Sequence, residues 1–162
     1  LWTAVVDRGQ IEQVLINFYV NAWQAMPNGG NLVVKTRNIH LDETYCRSVD
    51  ACAGDYVLIN VSDTGIGMDP ETVGRIFEPF FTTKGVGKGT GLGLASAYGI
   101  IRNHKGFIRV ESEKGRGSAF RIYLPASPVT ELEAVPVSLT TVVVSDCAEA
   151  CAAASIAMAP IR

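Results

Sequence analysis

"VSDTGIGMDPETVGRIFEPFFTTKGVGKGTGLGL", residues 61–94, holds eight glycines and three phenylalanines behind a β-rich run that ends at Asp63. Such bare backbone near a strand suggests a phosphate cradle, and the two common ones can be tested directly. A Walker loop needs Gly-x-x-x-x-Gly-Lys and then Ser or Thr; here Gly87 and Lys88 are followed by Gly89, and Thr82 stands where the first glycine belongs. The dinucleotide fingerprint Gly-x-Gly-x-x-Gly also fails, because Gly89 and Gly91 lead to Leu94, and Gly65 and Gly67 lead to Pro70. The glycines therefore serve another geometry, in two clusters. In "DTGIGM", a strand-end carboxylate with bare backbone beside it suits a flat ligand carrying an exocyclic amine, such as adenine. In "GVGKGTGLGL", glycines open into a helix whose first amides are free donors, which suits an anion such as a triphosphate.

Working outward, residues 10–26, "QIEQVLINFYVNAWQAM", place Ile11, Val14, Leu15, Phe18 and Ala22 at helical spacing, and "PNGG" stops the helix. "NLVVKTRNIHL" and "DYVLINVSD" read as strands, separated by a polar segment holding Cys46 and Cys52 that is expected to be a hairpin excursion. A short helix is expected from Asp69 and Pro70, as cap and first-turn proline, to about Phe77. The glycines then exclude regular structure until "LGLASAYGIIRNH", a further helix ending at Lys105 and Gly106. "GFIRVESEKGRGSAFRIYLP" is a hairpin of two alternating runs. From Ala126 the composition changes to a linker, one short β-like run in "TTVVVSD" and an alanine-rich tail, for which a truncated following domain, a docking helix or disorder are the alternatives.

At 162 residues, with 48% apolar and 19% charged content, the chain is long enough for one domain with a real core and reads as soluble and globular. A net charge of −2 with scattered basic residues argues against nucleic acid as a partner, and no stretch is apolar enough to span a membrane. The opening "LWTAVVDRGQ" lacks the order of a signal peptide and reads as a strand already under way, which implies a natural start upstream. Cys46, Cys52, Cys147 and Cys151 lack zinc-site spacing and are expected to be reduced thiols in a cytosolic setting.

Asn17 and Asn21 share one face of the first helix, where an amide oxygen could serve magnesium or could simply bond neighbouring backbone. Taken together and in order, "NFYVNA", "DTGIGM", "FEPFFTTK" and "GKGTGLGL" closely resemble the N, G1, F and G2 boxes of the catalytic ATP-binding domain of sensor histidine kinases, the GHKL or Bergerat ATPase superfamily. The resemblance covers about residues 1–125, including the last hairpin, and leaves 126–162 as linker and tail. It implies an α+β, two-layer sandwich with a mixed, mostly antiparallel sheet on about three helices.

The resemblance further implies ATP and Mg2+ as cofactors and assigns roles by position. Asp63 would bind the adenine amine, with Ser118 as helper and Gly65 and Gly67 shaping the pocket. Asn21 would hold magnesium, and Asn17, the catalytic candidate, would lie beside the phosphates. Phe77, Phe80 and Phe81 would anchor one end of a mobile lid, although ordinary core packing is the alternative for at least one of them. Gly87, Gly89, Gly91 and Gly93, with Thr90 and Leu92 between them, would close the other end over the triphosphate, and Lys84 and Lys88 are phosphate candidates.

In the hydrolytic relatives a glutamate four residues before the metal asparagine activates water, whereas Asn17 stands there and an amide is no general base. The resemblance thus implies transfer to a histidine on a separate dimerisation domain, with a response regulator downstream, in a cytoplasmic domain without membrane contact of its own. A GHKL-type ATPase or switch, or a nucleotide-sensing module, is the alternative. Neither His40 nor His104 stands in an acceptor-like context, so autokinase activity is not expected of this chain alone. Many family members carry Lys or Arg and then an aromatic where Gln24 and Ala25 stand; "NAWQAMPNGG" is similar instead to nitrogen-regulatory and hybrid sensor kinases.

Overall fold

The computed structural model describes residues 1–47, 49, 51–85, 89–127 and the backbone of 142–144. Helix α1 (Arg8–Ala25) begins where Asp7 accepts the backbone N–H of Gln10 at 2.9 Å, and it buries Ile11, Val14, Leu15, Phe18, Tyr19 and Ala22 on one face. Strands β1 (Leu32–Leu41) and β2 (Gly54–Asp63) pair antiparallel along their whole length, followed by α3 (Pro70–Arg75) and α4 (Gly93–Asn103). The hairpin β3 (Phe107–Glu113) and β4 (Gly117–Pro125) completes the main sheet, with β4 beside β2. A three-residue strand, β5 (Val142–Val144), adds to the free edge of β1, giving the order β3-β4-β2-β1-β5 with every pair antiparallel.

Strand alternation divides the residues between two faces. Val34, Val57, Ile59, Val61, Phe120, Ile122 and Leu124 point toward α1 and α4 and form the main core with Phe18 and Ile101; the Phe18 and Phe120 rings lie 4.7 Å apart. The other face carries a smaller cluster of Leu41, Cys46, Tyr56, Leu58, Phe107 and Tyr123. The α+β sandwich expected from the sequence is present: helices cover one face of an antiparallel sheet.

Three expectations differ in detail. The segment between β1 and β2 is not a plain hairpin excursion but holds a one-turn helix, α2 (Glu43–Arg47), because Asp42 accepts the N–H of Tyr45 at 2.7 Å and Cys46 packs into the second cluster. The N-terminal segment is no strand beyond an isolated bridge at Ala4: Trp2 donates its N–H to the Asn38 side chain, and Thr3 exchanges bonds with Ser127. Helix α4 ends at Asn103 with His104 as its cap, short of the expected end at Lys105 and Gly106; Lys105 takes a left-handed φ of 57°, and the missing side chain of Gly106 lets the backbone reach the Tyr123 carbonyl. Cys46 and Cys52 are free thiols; Cys147, Cys151 and the alternatives for the tail lie outside the described residues.

The Asp7 cap gives a first prediction. Asp7→Ala should lower stability by about 1 kcal/mol, seen as a lower Tm in thermal denaturation, since one first-turn amide loses its acceptor. An unchanged Tm would mean that water replaces the carboxylate without cost.

Candidate functional site

Register sets the first half of the site. Asp63 pairs with Leu32 on one side and Ser118 on the other, and Ser118 in turn pairs with Ser112, so these polar residues form the last row of the helix-covered face. Asp63 is only 8% exposed, and its carboxylate accepts the N–H of Gly65 at 2.8 Å and that of Ser118. Burial pushes its pKa above the ordinary carboxylate value, against the pull of those two bonds. An ionised carboxylate has about four lone-pair positions, so two backbone donors leave room for a donor from a ligand.

The loop after Asp63 is locked around it. Ser112 Oγ donates to the Gly117 carbonyl at 2.9 Å and accepts from Met68 N–H at 2.8 Å, while the Ser118 hydroxyl lies 3.0 Å from Ser112. The Gly115 N–H donates to the Ile66 carbonyl at 2.7 Å. Gly67 sits at φ +64°, and any side chain there would run into the Glu113 carbonyl. Ser118 therefore reaches Asp63 through its backbone, while its hydroxyl belongs to the Ser112 network.

Helix α1 links this end to the other. Near its end, the Ala25 carbonyl accepts Ile66 N–H at 2.9 Å. Two turns earlier, Asn17 donates to the Gly93 carbonyl at 2.9 Å and accepts from Gln13 at 3.1 Å. The intervening eight residues set these contacts about 12 Å apart along the axis. Asn21 lies between them: its Nδ2 donates back to the Asn17 carbonyl at 2.7 Å, and its Oδ1 accepts from the Lys84 ammonium at 3.2 Å. The same ammonium bonds Gln24 Oε1, and burial lowers its pKa. Asn21 Oδ1 thus already faces a cation, which fits a hard metal ion.

The G2 end begins with α4, whose N-terminus has no side-chain cap and so keeps free amides. Leu92 sits at the cap position and Thr90 Oγ1 accepts Leu92 N–H at 3.4 Å. Gly91, at φ +66°, presses against the Phe80 backbone and accepts its N–H at 2.9 Å; Gly89 approaches Thr82 and Lys84. Gly87 and Lys88 lie outside the described residues. The three phenylalanines separate: Phe77 packs on the core and on Tyr98, Phe81 packs on the core and under the Arg75 guanidinium, and Phe80 is 74% exposed at φ 68°.

Because Lys84 ties the segment after the phenylalanines to α1, Lys84→Ala should speed hydrogen exchange at the Phe80 amide by about fivefold in the absence of nucleotide, the value of about one hydrogen bond. Unchanged exchange would mean that the Gly91–Phe80 contact alone holds this segment.

Both histidines are engaged elsewhere. His104 Nδ1 bonds the Ile100 carbonyl and its Nε2 accepts Asp7 N–H at 2.9 Å, while exposed His40 pairs with Asp55. Sequence reasoning missed Ser112 and Gln24. The alternation of "VESEKGRGS" around a glycine turn was a signal for the serine pair; nothing in the sequence pointed Gln24 at Lys84.

The model of the histidine kinase-, DNA gyrase B- and HSP90-like ATPases matches residues 6–128. The chain belongs to this family. Among curated relatives of this ATPase family, the sensor kinase CckA of Brucella abortus (strain 2308) is 51% identical over 126 residues, 77% of this chain and 13% of that protein. Sporulation kinase E of Bacillus subtilis (strain 168) is 45% identical over 119 residues, 74% of this chain and 14% of its own. The chain thus spans only a small part of these relatives. Full-length ShkA, solved with AMPPNP, superposes with a TM-score of 0.59 at 32% identity over 85% of this chain and 26% of that one. The mycobacterial sensor histidine kinase MprB gives 0.58 at 26% identity over 79% and 78%.

Proposed function

We propose that this chain is the ATP-binding catalytic domain of a two-component sensor histidine kinase, holding Mg-ATP for transfer of the γ-phosphate to a histidine on a separate dimerisation domain. Residues 1–125 are the catalytic domain in this reading and 126–162 the segment after it. The parent's response regulator is then the downstream partner, and the domain works on the cytoplasmic side, where ATP is found.

The observation that carries the reading is Asn17. It faces the start of α4 with both amide atoms engaged, to Gln13 and Gly93, where a hydrolase needs a base. Glu12, the carboxylate on α1, is ion-paired to Arg8 at 2.8 Å. The donor set fits the nucleotide: Asp63 accepts the adenine amine, the glycine loop at Gly65 and Gly67 lies against the base, and the first amides of α4, from Gly93 on, meet the phosphates. Lys84 would leave Asn21 for the phosphates, with Gly89, Thr90 and Gly91 near it, and Gly87 and Lys88 remain phosphate candidates by sequence. Asn21 Oδ1 would hold the magnesium, which when bound would neutralise and orient the phosphates. The chain's own contribution is positioning, and the acceptor imidazole comes from the partner domain.

The test is calorimetric titration with a non-hydrolysable ATP analogue, with and without magnesium, beside an assay of phosphate release from ATP. Tight, magnesium-dependent binding with negligible release is expected. Sustained release would make the chain a hydrolase or ATP-driven switch, and absence of binding would leave the fold without its ligand.

A further inference from the structure

We propose that the sheet face turned away from α1 and α4 is a docking surface for an extended acidic peptide segment of a partner protein. The register places Lys35, Asn60, Arg121 and Arg109 in one row across four strands, all on the outer face. Arg37 stands two residues along β1 on the same face. Strands lie about 4.8 Å apart, so the row is about 14 Å long, the reach of four or five extended residues.

Charge complementarity identifies the occupant. Arg121 is already held by Glu111 through two bonds, one of 2.7 Å from Nη2 to Oε2. Lys35, Arg37 and Arg109 are exposed and make no ion pair with any described residue. A chain with net charge −2 has thus gathered uncompensated cations on one face. Exposed cations alone would be only a solvated surface, but two further observations point to a ligand.

The first is Asn60, in the middle of the row, whose amide oxygen is buried and has no hydrogen-bond partner among the described residues. Such an atom is costly unless a donor reaches it, and Lys35 beside it is long enough to lift away onto an incoming carboxylate. A peptide brings carboxylates and backbone N–H groups together. The second is an adjoining cavity of about 380 Å³, lined by Arg37, Leu41, Tyr45, Arg121 and Tyr123 among others, where an apolar residue of the same peptide can rest against the tyrosines. Nucleic acid suits the face less well, since a phosphate backbone offers the Asn60 oxygen no donor, whereas a peptide backbone carries N–H groups along its length.

The test is fluorescence anisotropy with a labelled peptide that alternates glutamate with small residues around one central leucine, titrated with the intact chain at low salt. Binding is expected to weaken by about tenfold or more in the Lys35→Glu, Arg109→Glu double variant and by about threefold in Asn60→Ala, with affinity for the ATP analogue unchanged in both. Amide NMR shifts in the wild type should map to the outer row rather than around Asp63. Absence of binding, equal binding by the double variant, shifts confined to the nucleotide site, or tighter binding of an oligothymidylate of equal charge would each overturn the proposal.

Discussion

Asp63→Asn is expected to cut affinity for an ATP analogue by about 10²–10³-fold while leaving the fold intact. The wild-type carboxylate is an acceptor at every position, and its two backbone donors, Gly65 and Ser118, fix its orientation. An asparagine in the same place keeps one acceptor atom for those donors and turns an amino group toward the adenine amine. Two donors then face each other at a side chain only 8% exposed, where water cannot readily replace the lost acceptor. Stability runs the other way. Burial raises the native pKa above the unfolded value, so between the two values the native state binds more protons, and the contribution of Asp63 to stability falls as pH rises through that window. At neutral pH the charged group costs stability, and Asp63→Asn should melt at or above the wild-type Tm. Wild-type affinity should also weaken as pH falls toward the raised pKa, because a protonated carboxyl loses acceptor capacity, and this dependence should vanish in the variant. Isothermal titration across pH reads both effects; unchanged affinity in Asp63→Asn would remove Asp63 from adenine recognition.

The elements flanking Asp63 were legible because their periodicity is local. Ile11, Val14, Leu15 and Phe18 announce α1 by spacing alone, and the alternation in β1, β2 and the last hairpin fixes which face each residue takes. The five residues of α2 are too few to carry a period, and their only signal was Asp42 ahead of them. The first residues looked strand-like by composition, yet their backbone bonds go to Asn38 and Ser127, distant in sequence. The site divides along the same line. Asp63, Asn17 and Asn21 are unusual residue types for their positions and could be picked out individually. The contact of Met68 with Ser112 joins residues 44 apart, and that of Lys84 with Gln24 joins residues 60 apart. Such contacts exist only once strand register and the path of the segment after Phe81 are set, and neither is written in local spacing.

Asn21→Ala should abolish the dependence of nucleotide affinity on magnesium and lower phosphotransfer to a dimerisation domain supplied in trans by about 10²–10³-fold, the scale lost when transition-state charge is left unneutralised. The substitution is mild for the helix. Asn21 spends its Nδ2 on the Asn17 carbonyl one turn back, a bond that competes with the helix ladder, and alanine is the better helix former. Any loss of function is therefore separable from loss of α1. The Lys84 contact sharpens the expectation: its ammonium bonds both Asn21 Oδ1 and Gln24 Oε1, so removal of Asn21 leaves it one acceptor and the segment remains tied to α1. Nucleotide affinity without magnesium should then stay close to the wild-type value, and only the increment on adding metal should disappear. A wild-type increment in Asn21→Ala would place the metal elsewhere, whereas equal loss of affinity in both conditions would make Asn21 a scaffold for Lys84 and the phosphates rather than a ligand.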